Sequence, residues 1–125
     1  MNTKTITTIP SLLKKFISVS QQQVLRESDE SVDIISDIVK QIESTPKTYE
    51  TDGQGDKAMA MLHYFKDSHD WYITERDSED DQYQAFGLAV LGQDWQNAEL
   101  GYINIEELKQ IGVELDLYWT PKSLG

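Results

Sequence analysis

The chain contains no cysteine, only two histidines and only three prolines among its 125 residues. The absence of cysteine excludes disulfide bonds, thiolate metal sites and cysteine nucleophiles, so stability must come from the hydrophobic core. No apolar run approaches the roughly 20 residues that a membrane-spanning helix needs. The first residues, Met1 to Thr5, are not followed by an apolar segment. We therefore expect no secretory signal and a cytoplasmic location.

Basic residues are also scarce, since 11 Lys and Arg stand against 22 Asp and Glu, for a net charge of −11. The imbalance is confined to residues 51–125, which carry 5 basic and 15 acidic side chains, whereas residues 1–50 carry 6 and 7. An acidic surface repels phosphate backbones, so we expect no direct nucleic-acid binding. The charge favours a partner protein with a basic surface.

The length of the chain predicts one domain, residues 1–125, with a helical pair over 1–46 and a sheet-bearing segment over 57–121. Two apolar stripes with helical spacing predict the pair. The first stripe contains Leu13, Ile17 and Val24 with Val19 beside it, and the second contains Val32, Ile35, Val39 and Ile42.

Alternating and apolar runs predict strands over residues 59–65, 71–74, 83–91, 100–103 and 113–119, the last with Trp119 on its buried face. Between the last two, Asn104 is placed to cap a short helix that Gly112 ends. The expected fold class is α+β. A helical pair precedes a mainly antiparallel sheet of about five strands, with one short helix before the last strand.

Four short pieces of the sheet-bearing segment follow one another as they do in a known family. They are Trp71–Glu75, Ala85–Leu88, Glu99–Tyr102 with Glu107–Leu108, and Glu114–Pro121. Over residues 63–121 their order and spacing resemble the domain-of-unknown-function family numbered 2958. Ala98 stands where that family usually has proline, and the two N-terminal helices lie outside the pattern. The resemblance implies a small bacterial protein carried by plasmids, phages or other mobile elements, and it implies no established activity.

Acidic residues of the loops at 66–81 and 93–99 are candidates for a partner-binding face. Trp95 lies in a polar connection, where a large aromatic is less expected, and tryptophan is enriched at binding hot spots. A solvated loop and a Trp95 packed back on the sheet are the plainer readings, and they stay open. The candidates are Asp67, Asp70, Glu75, Asp77, Glu79, Asp80, Asp81, Asp94 and Trp95.

The best-supported function from sequence is a small acidic accessory protein of a mobile element that binds another protein through this face. Carboxylates spaced like DNA phosphates can occupy a groove that grips DNA. Inhibition of a host DNA-binding or defence protein by such mimicry is therefore one concrete form of the hypothesis.

Two other functions stay open. His63 and His69 would approach one another across the predicted hairpin and, with nearby carboxylates, would serve a metal-dependent hydrolase. The apolar stripes of the N-terminal helices would alternatively pair two copies into a homodimer. The sequence has no nucleophile-elbow motif and no phosphate loop. We therefore expect a protein that is not an enzyme, with no catalytic residue, no cofactor and no dedicated metal site.

Overall fold

The computed structural model describes residues 9–27, 32–47, 57–77 and 82–124, and these residues form an α+β fold, as the sequence predicts. The helices are α1 (Ser11–Lys14), α2 (Val19–Glu27), α3 (Val32–Ser44) and α4 (Ile105–Gln110). The strands are β1 (Met59–Ala60), β2 (Leu62–Lys66), β3 (His69–Glu75), β4 (Ala85–Val90), β5 (Glu99–Ile103), β6 (Glu114–Leu115) and β7 (Lys122–Ser123). Two single turns of 3-10 helix, Leu91–Gln93 and Trp95–Asn97, connect β4 to β5.

Five of the strands form one antiparallel sheet in the order β5-β4-β3-β2-β6, while β1 and β7 pair separately. The first predicted strand is interrupted at Met61, so β1 and β2 belong to different sheets. The last predicted strand ends at Leu115, because the Asp116 carboxylate accepts the N–H of Tyr118 at 3.0 Å and turns the chain.

The three N-terminal helices pack on one face of the five-stranded sheet, and the helices and the sheet contribute to one hydrophobic cluster. The members from the N-terminal segment are Leu13, Leu25, Ile35, Ile38 and Ile42 in the helices and Phe16 and Ile17 in the turn between α1 and α2. The strand members include Leu62, Tyr64, Ile73, Ala85, Ile103 and Leu115. The Tyr64 hydroxyl donates to the Phe16 carbonyl, and burial raises the pKa of Tyr64 well above its ordinary value. Leu13, Ile17, Ile35 and Ile42 of the two predicted stripes are therefore buried within the single chain, whereas Val32 is 42% exposed. Pairing of two copies through the rest of the stripes stays a prediction.

The first predicted helix is in fact two helices, α1 and α2. The Ser18 hydroxyl accepts the N–H of Gln21 at 3.0 Å and so caps the start of α2. Because the cap restarts the helical register, Gln21 and Leu25 are buried, while Val19 and Val24 are 76% and 61% exposed. The prediction that Val24 belongs to the buried stripe is wrong for this reason.

The buried Gln21 side chain closes one edge of the sheet. Its Nε2 donates to the Leu115 carbonyl at 2.8 Å, and its Oε1 accepts the Leu115 N–H at 2.9 Å. A neighbouring strand would supply the same pair of bonds to β6, whose backbone would otherwise be an exposed edge. A helix side chain thus takes the place of a strand.

The short helix α4 has the ends that the sequence predicts. The Asn104 side chain accepts the N–H of Glu107 at 3.1 Å at its start. At its end, Gly112 adopts a left-handed φ of 78°, and the N–H of Val113 donates to the Leu108 carbonyl at 3.0 Å. This is the Schellman arrangement, in which a glycine supplies the backbone conformation that other residues rarely adopt.

Strands β3 and β4 approach closely at Gly87. The pairing register shifts between Ile73 and Glu75, which places a bulge beside this glycine. A Cβ at position 87 would lie 2.0 Å from the Tyr72 carbonyl oxygen, far inside contact distance. Only glycine fits there without moving a strand.

We expect Gly87→Ala to lower the free energy of unfolding by about 1–3 kcal/mol or more, because the backbone of β3 must shift. Gly101→Ala is the matched control, since Gly101 pairs with Gly87 across β4 and β5 and its Cβ would contact nothing within 4 Å. Urea unfolding of both variants checks the expectation. Equal stabilities would contradict the close approach.

We expect Gln21→Ala to destabilise the fold by about 1–3 kcal/mol, because the Leu115 N–H and C=O lose their partners. Gln23→Ala is the control, since Gln23 is exposed on the same helix and gains the same helix propensity. Amide hydrogen exchange provides the direct measurement. Exchange at Leu115 should accelerate in the first variant only, and unchanged protection would refute the edge-closing role.

Candidate functional site

The sheet has a second face, opposite the helices, which we call the open face. Side chains alternate between the faces of a strand, and the pairing of His63 with Tyr72 places both on the open face. Asp70 and Leu88 lie on the same face, two residues from Tyr72 and directly opposite it, respectively. The open face therefore carries aromatic and ionisable side chains where the other carries the core.

His63 is held between two carboxylates on the open face. Its Nε2 lies 2.7 Å from Asp70 Oδ1, and its Nδ1 lies 3.1 Å from Asp116 Oδ2. The backbone N–H of Asp116 also donates to the His63 carbonyl at 2.8 Å. These bonds tie the turn after β6 to strands β2 and β3.

Aromatic rings stack around His63. The Tyr72 ring lies 4.9 Å away and nearly parallel, and the Trp119 ring lies 5.0 Å away. Tyr72 in turn lies 5.5 Å from Trp119 and 5.7 Å from Trp95, measured between ring centroids. These separations are typical of favourable aromatic pairs. The imidazole thus joins these aromatic rings to the carboxylates of Asp70 and Asp116.

A pocket of about 330 Å³ opens above this cluster, and we call it the aromatic pocket. The Trp119 indole N–H donates to the Ala60 carbonyl at 2.8 Å and fixes that ring in its wall. The Lys122 ammonium lies 4.7 Å from the centroid of the Trp119 ring. The lining residues are Ala60, Tyr72, Leu88, Trp95, Trp119, Lys122, Ser123 and Leu124.

The connection from β4 to β5 carries Trp95 to the rim of the aromatic pocket. Gly92 and Gln93 both adopt a left-handed φ of 62°, and their N–H groups donate to His69 Nδ1 and to the Ser68 carbonyl. The segment is therefore fastened to the β2–β3 hairpin. Trp95 is 58% exposed while its ring contacts Tyr72, so it both packs on the sheet and faces solvent.

The acidic candidates that the structure describes do not form one face. Asp67 and Asp94 are exposed, and Asp94 accepts the Asn97 side-chain amide at 2.7 Å. Asp70 is directed at His63. Glu75 and Asp77 are only 3% and 5% exposed, so their inclusion in an exposed face is wrong. Glu79, Asp80 and Asp81 lie outside the described residues.

Asp77 is buried because Gln82 brackets it. The Asp77 N–H donates to the Gln82 side chain at 3.0 Å, and that side chain returns a bond to the Asp77 carbonyl at 3.3 Å. The Asp77 carboxylate accepts the N–H of Gln84 at 3.1 Å. Sequence reasoning treated this carboxylate as solvated, because a glutamine five residues away gives no periodic signal.

The two histidines do not share a site. His69 pairs with Lys66, whereas His63 pairs with Tyr72, and this register places the histidines on opposite faces of the sheet. Within residues 9–27, 32–47, 57–77 and 82–124, no group of three or more His, Asp or Glu side chains is arranged to hold a metal ion. The histidine pair required by the hydrolase hypothesis is therefore not formed.

Sequence reasoning found Trp95 but not the rest of the aromatic pocket. Trp119 was expected on the buried face of a strand, yet it follows β6 and lines the pocket. Lys122 belongs to β7, a two-residue strand beyond Pro121 that no alternation could indicate. The alternation of Tyr72 with Ile73 is a signal that could have assigned Tyr72 to the open face.

Comparison with known proteins gives one family. The model of a family described as proteins of unknown function, DUF2958, matches residues 34–121. The chain belongs to this family, and the match extends the resemblance seen over residues 63–121 back into α3. No curated protein and no solved structure matches the chain. In the described parts of the chain, no helix is long and apolar enough to cross a membrane.

Burial raises the pKa of the Tyr72 phenol above its ordinary value of 10.0, and the Asp70 carboxylate raises it further. The neutral phenol is thus favoured in the folded chain. Its contribution to stability is full below pH 10.0 and is lost as the pH rises through the raised pKa.

We expect Asp70→Asn to lower the pKa of Tyr72 but to leave it above the ordinary value, because burial remains. A ¹³C NMR titration of the tyrosine Cζ signals measures this shift. Asp67→Asn is the control, since Asp67 lies in the exposed hairpin turn. An equal titration of Tyr72 in Asp70→Asn and the parent would contradict the assigned cause.

Proposed function

We propose that this DUF2958 member is a non-enzymatic binding protein whose open face captures a partner protein with a basic surface. The observation that carries the proposal is the aromatic pocket with Trp95, 58% exposed, at its rim. Tryptophan and tyrosine are the residues most enriched where binding energy concentrates. A tryptophan left half in solvent beside a pocket is the typical form of such an anchor.

The size of the pocket limits what it holds. A volume of about 330 Å³ is at the lower end of the range for ligand sites. It accommodates one side chain or one small molecule rather than a dinucleotide cofactor. A protein that inserts a single side chain, with further contacts along the open face, fits this volume.

The charge favours a basic partner. Residues 51–125, which supply the whole sheet, carry a net charge of −10. Asp70 and Asp116 contact the His63 ring within the aromatic cluster, and Asp94 is exposed next to Trp95. Complementary charge of this kind accelerates association and excludes acidic competitors.

The geometry of His63 supports binding rather than catalysis. A general base needs a free ring nitrogen within reach of the proton that it removes. Both ring nitrogens of His63 face carboxylates, and His69 accepts a backbone N–H on the other face. His63 therefore acts as a support for the Tyr72 and Trp119 rings.

Other parts of the sequence-based hypothesis stay predictions. DNA mimicry loses two of its carboxylates, since Glu75 and Asp77 are buried. A mobile-element context and a cytoplasmic location are compatible with the proposal and contribute nothing to its support.

The test is a capture experiment from the natural host with Trp95→Ala compared to the parent. We expect the parent to retain a protein that the variant loses by tenfold or more, because a hot-spot tryptophan contributes about 2 kcal/mol or more to binding. Quantitative mass spectrometry reads the retained proteins, and the salt dependence of capture reports the charge of the interface.

Tyr83→Ala is the matched control. Tyr83 is 52% exposed, lies two residues before the start of β4 and does not line the aromatic pocket. Its variant should retain the partner. Equal capture by the parent and both variants, or a captured protein without a basic surface, would remove the proposed function.

A further inference from the structure

The aromatic pocket already contains a cation. The Lys122 ammonium lies 4.7 Å from the centroid of the Trp119 ring, a distance typical of a cation–π contact. Ala60 positions both groups, since it pairs with Lys122 between β1 and β7 and accepts the Trp119 indole N–H. The arrangement of cation and ring therefore follows from the backbone.

Two further rings adjoin this contact. Tyr72 lies 5.5 Å from Trp119, and Trp95 lies 5.7 Å from Tyr72, so three rings line one cavity. The negative faces of aromatic rings attract ammonium and guanidinium groups, most strongly when several rings surround one cation. Asp70, on the same face of β3 as Tyr72, adds negative charge beside the rings.

Lys122 is an exchangeable occupant. Its residue is exposed, so the flexible side chain can leave for solvent while β7 stays paired with β1. An alkylammonium belonging to the chain itself thus lies where a partner's cationic side chain would bind. The two occupants compete for the same ring.

Resting on the proposed function, we infer that the aromatic pocket is a receptor for one cationic side chain of the partner, arginine or lysine, and that Lys122 fills the receptor in the free chain. The partner's side chain displaces Lys122 from Trp119. Removal of the lysine charge should therefore strengthen binding of a cationic ligand. If the pocket instead used Lys122 to bind an anion, the same change would weaken binding of an anionic ligand.

The tryptophans provide the measurement. We would titrate N-acetyl-arginine amide into the chain and follow the indole N–H signals by ¹H–¹⁵N NMR. The Trp95 and Trp119 signals should move, because both rings line the pocket. Trp71 should not move, because it lies on the helix-packed face and provides an internal control for the fold.

The decisive variant is Lys122→Gln, which removes the charge and keeps most of the side-chain length. We expect it to bind N-acetyl-arginine amide about two- to fivefold more tightly than the parent. The matched ligands are neutral N-acetyl-glutamine amide and anionic N-acetyl-glutamate amide. Equal shifts with the neutral ligand, preference for the anionic one, or unchanged or weaker arginine binding by Lys122→Gln would each overturn the inference.

This outcome is separable from that of the proposed function. Partner capture that depends on Trp95 without arginine binding would overturn the cation receptor and keep the binding protein. Arginine binding without Trp95-dependent capture of a protein would contradict the proposed function, but it would support the binding of cationic side chains in the aromatic pocket.

Discussion

The packing of three helices on one face of the antiparallel sheet is the constraint on which the rest of the structure depends. Successive side chains of a strand point to opposite faces of the sheet. When one residue packs against the helices, its neighbours in the strand therefore lie on the open face. Ile73 packs in the core, and Tyr72 beside it must point away from the helices. Tyr72 and Leu88 of the aromatic pocket therefore occupy the positions of β3 and β4 that alternate with the core, while Trp95, Trp119 and Lys122 reach the pocket from outside the five-stranded sheet.

The acidic side chains that the structure describes have structural roles as well as charge. The described acidic candidates have different environments. Asp70 contacts His63, and Asp94 caps the 3-10 turn at Trp95. Asp77 is buried and accepts the Gln84 N–H, and Asp67 is exposed in a turn. Asp70 and Asp116 contact an imidazole that stacks on aromatic rings, so they contribute to the packing of the open face as well as to its charge. Under the proposed function, the negative charge favours basic partners, and the rings contact the side chain that such a partner inserts.

Much of the fold could be predicted from the sequence, because its signals are local or periodic. Asn104 and Gly112 mark both ends of α4 through their own hydrogen-bonding and backbone preferences. The site could be predicted only at Trp95, where composition alone makes an aromatic conspicuous. Gln21 and Asp116 act across the fold, on Leu115 and His63, and such long-range polar pairs leave no pattern along the chain. Lys122 lies in a strand of two residues, which is too short to produce an alternating pattern.

Gln21, which closes the edge of β6, affects which N-terminal truncations the chain tolerates. The family match begins at residue 34, after Gln21, so a fragment reduced to the matched segment would lack the amide that pairs with Leu115. It would display a bare strand edge beside exposed core residues, a combination that recruits further strands from other molecules. The segment before residue 34 thus covers a strand edge and part of the core, and we expect its removal to make the chain prone to aggregation.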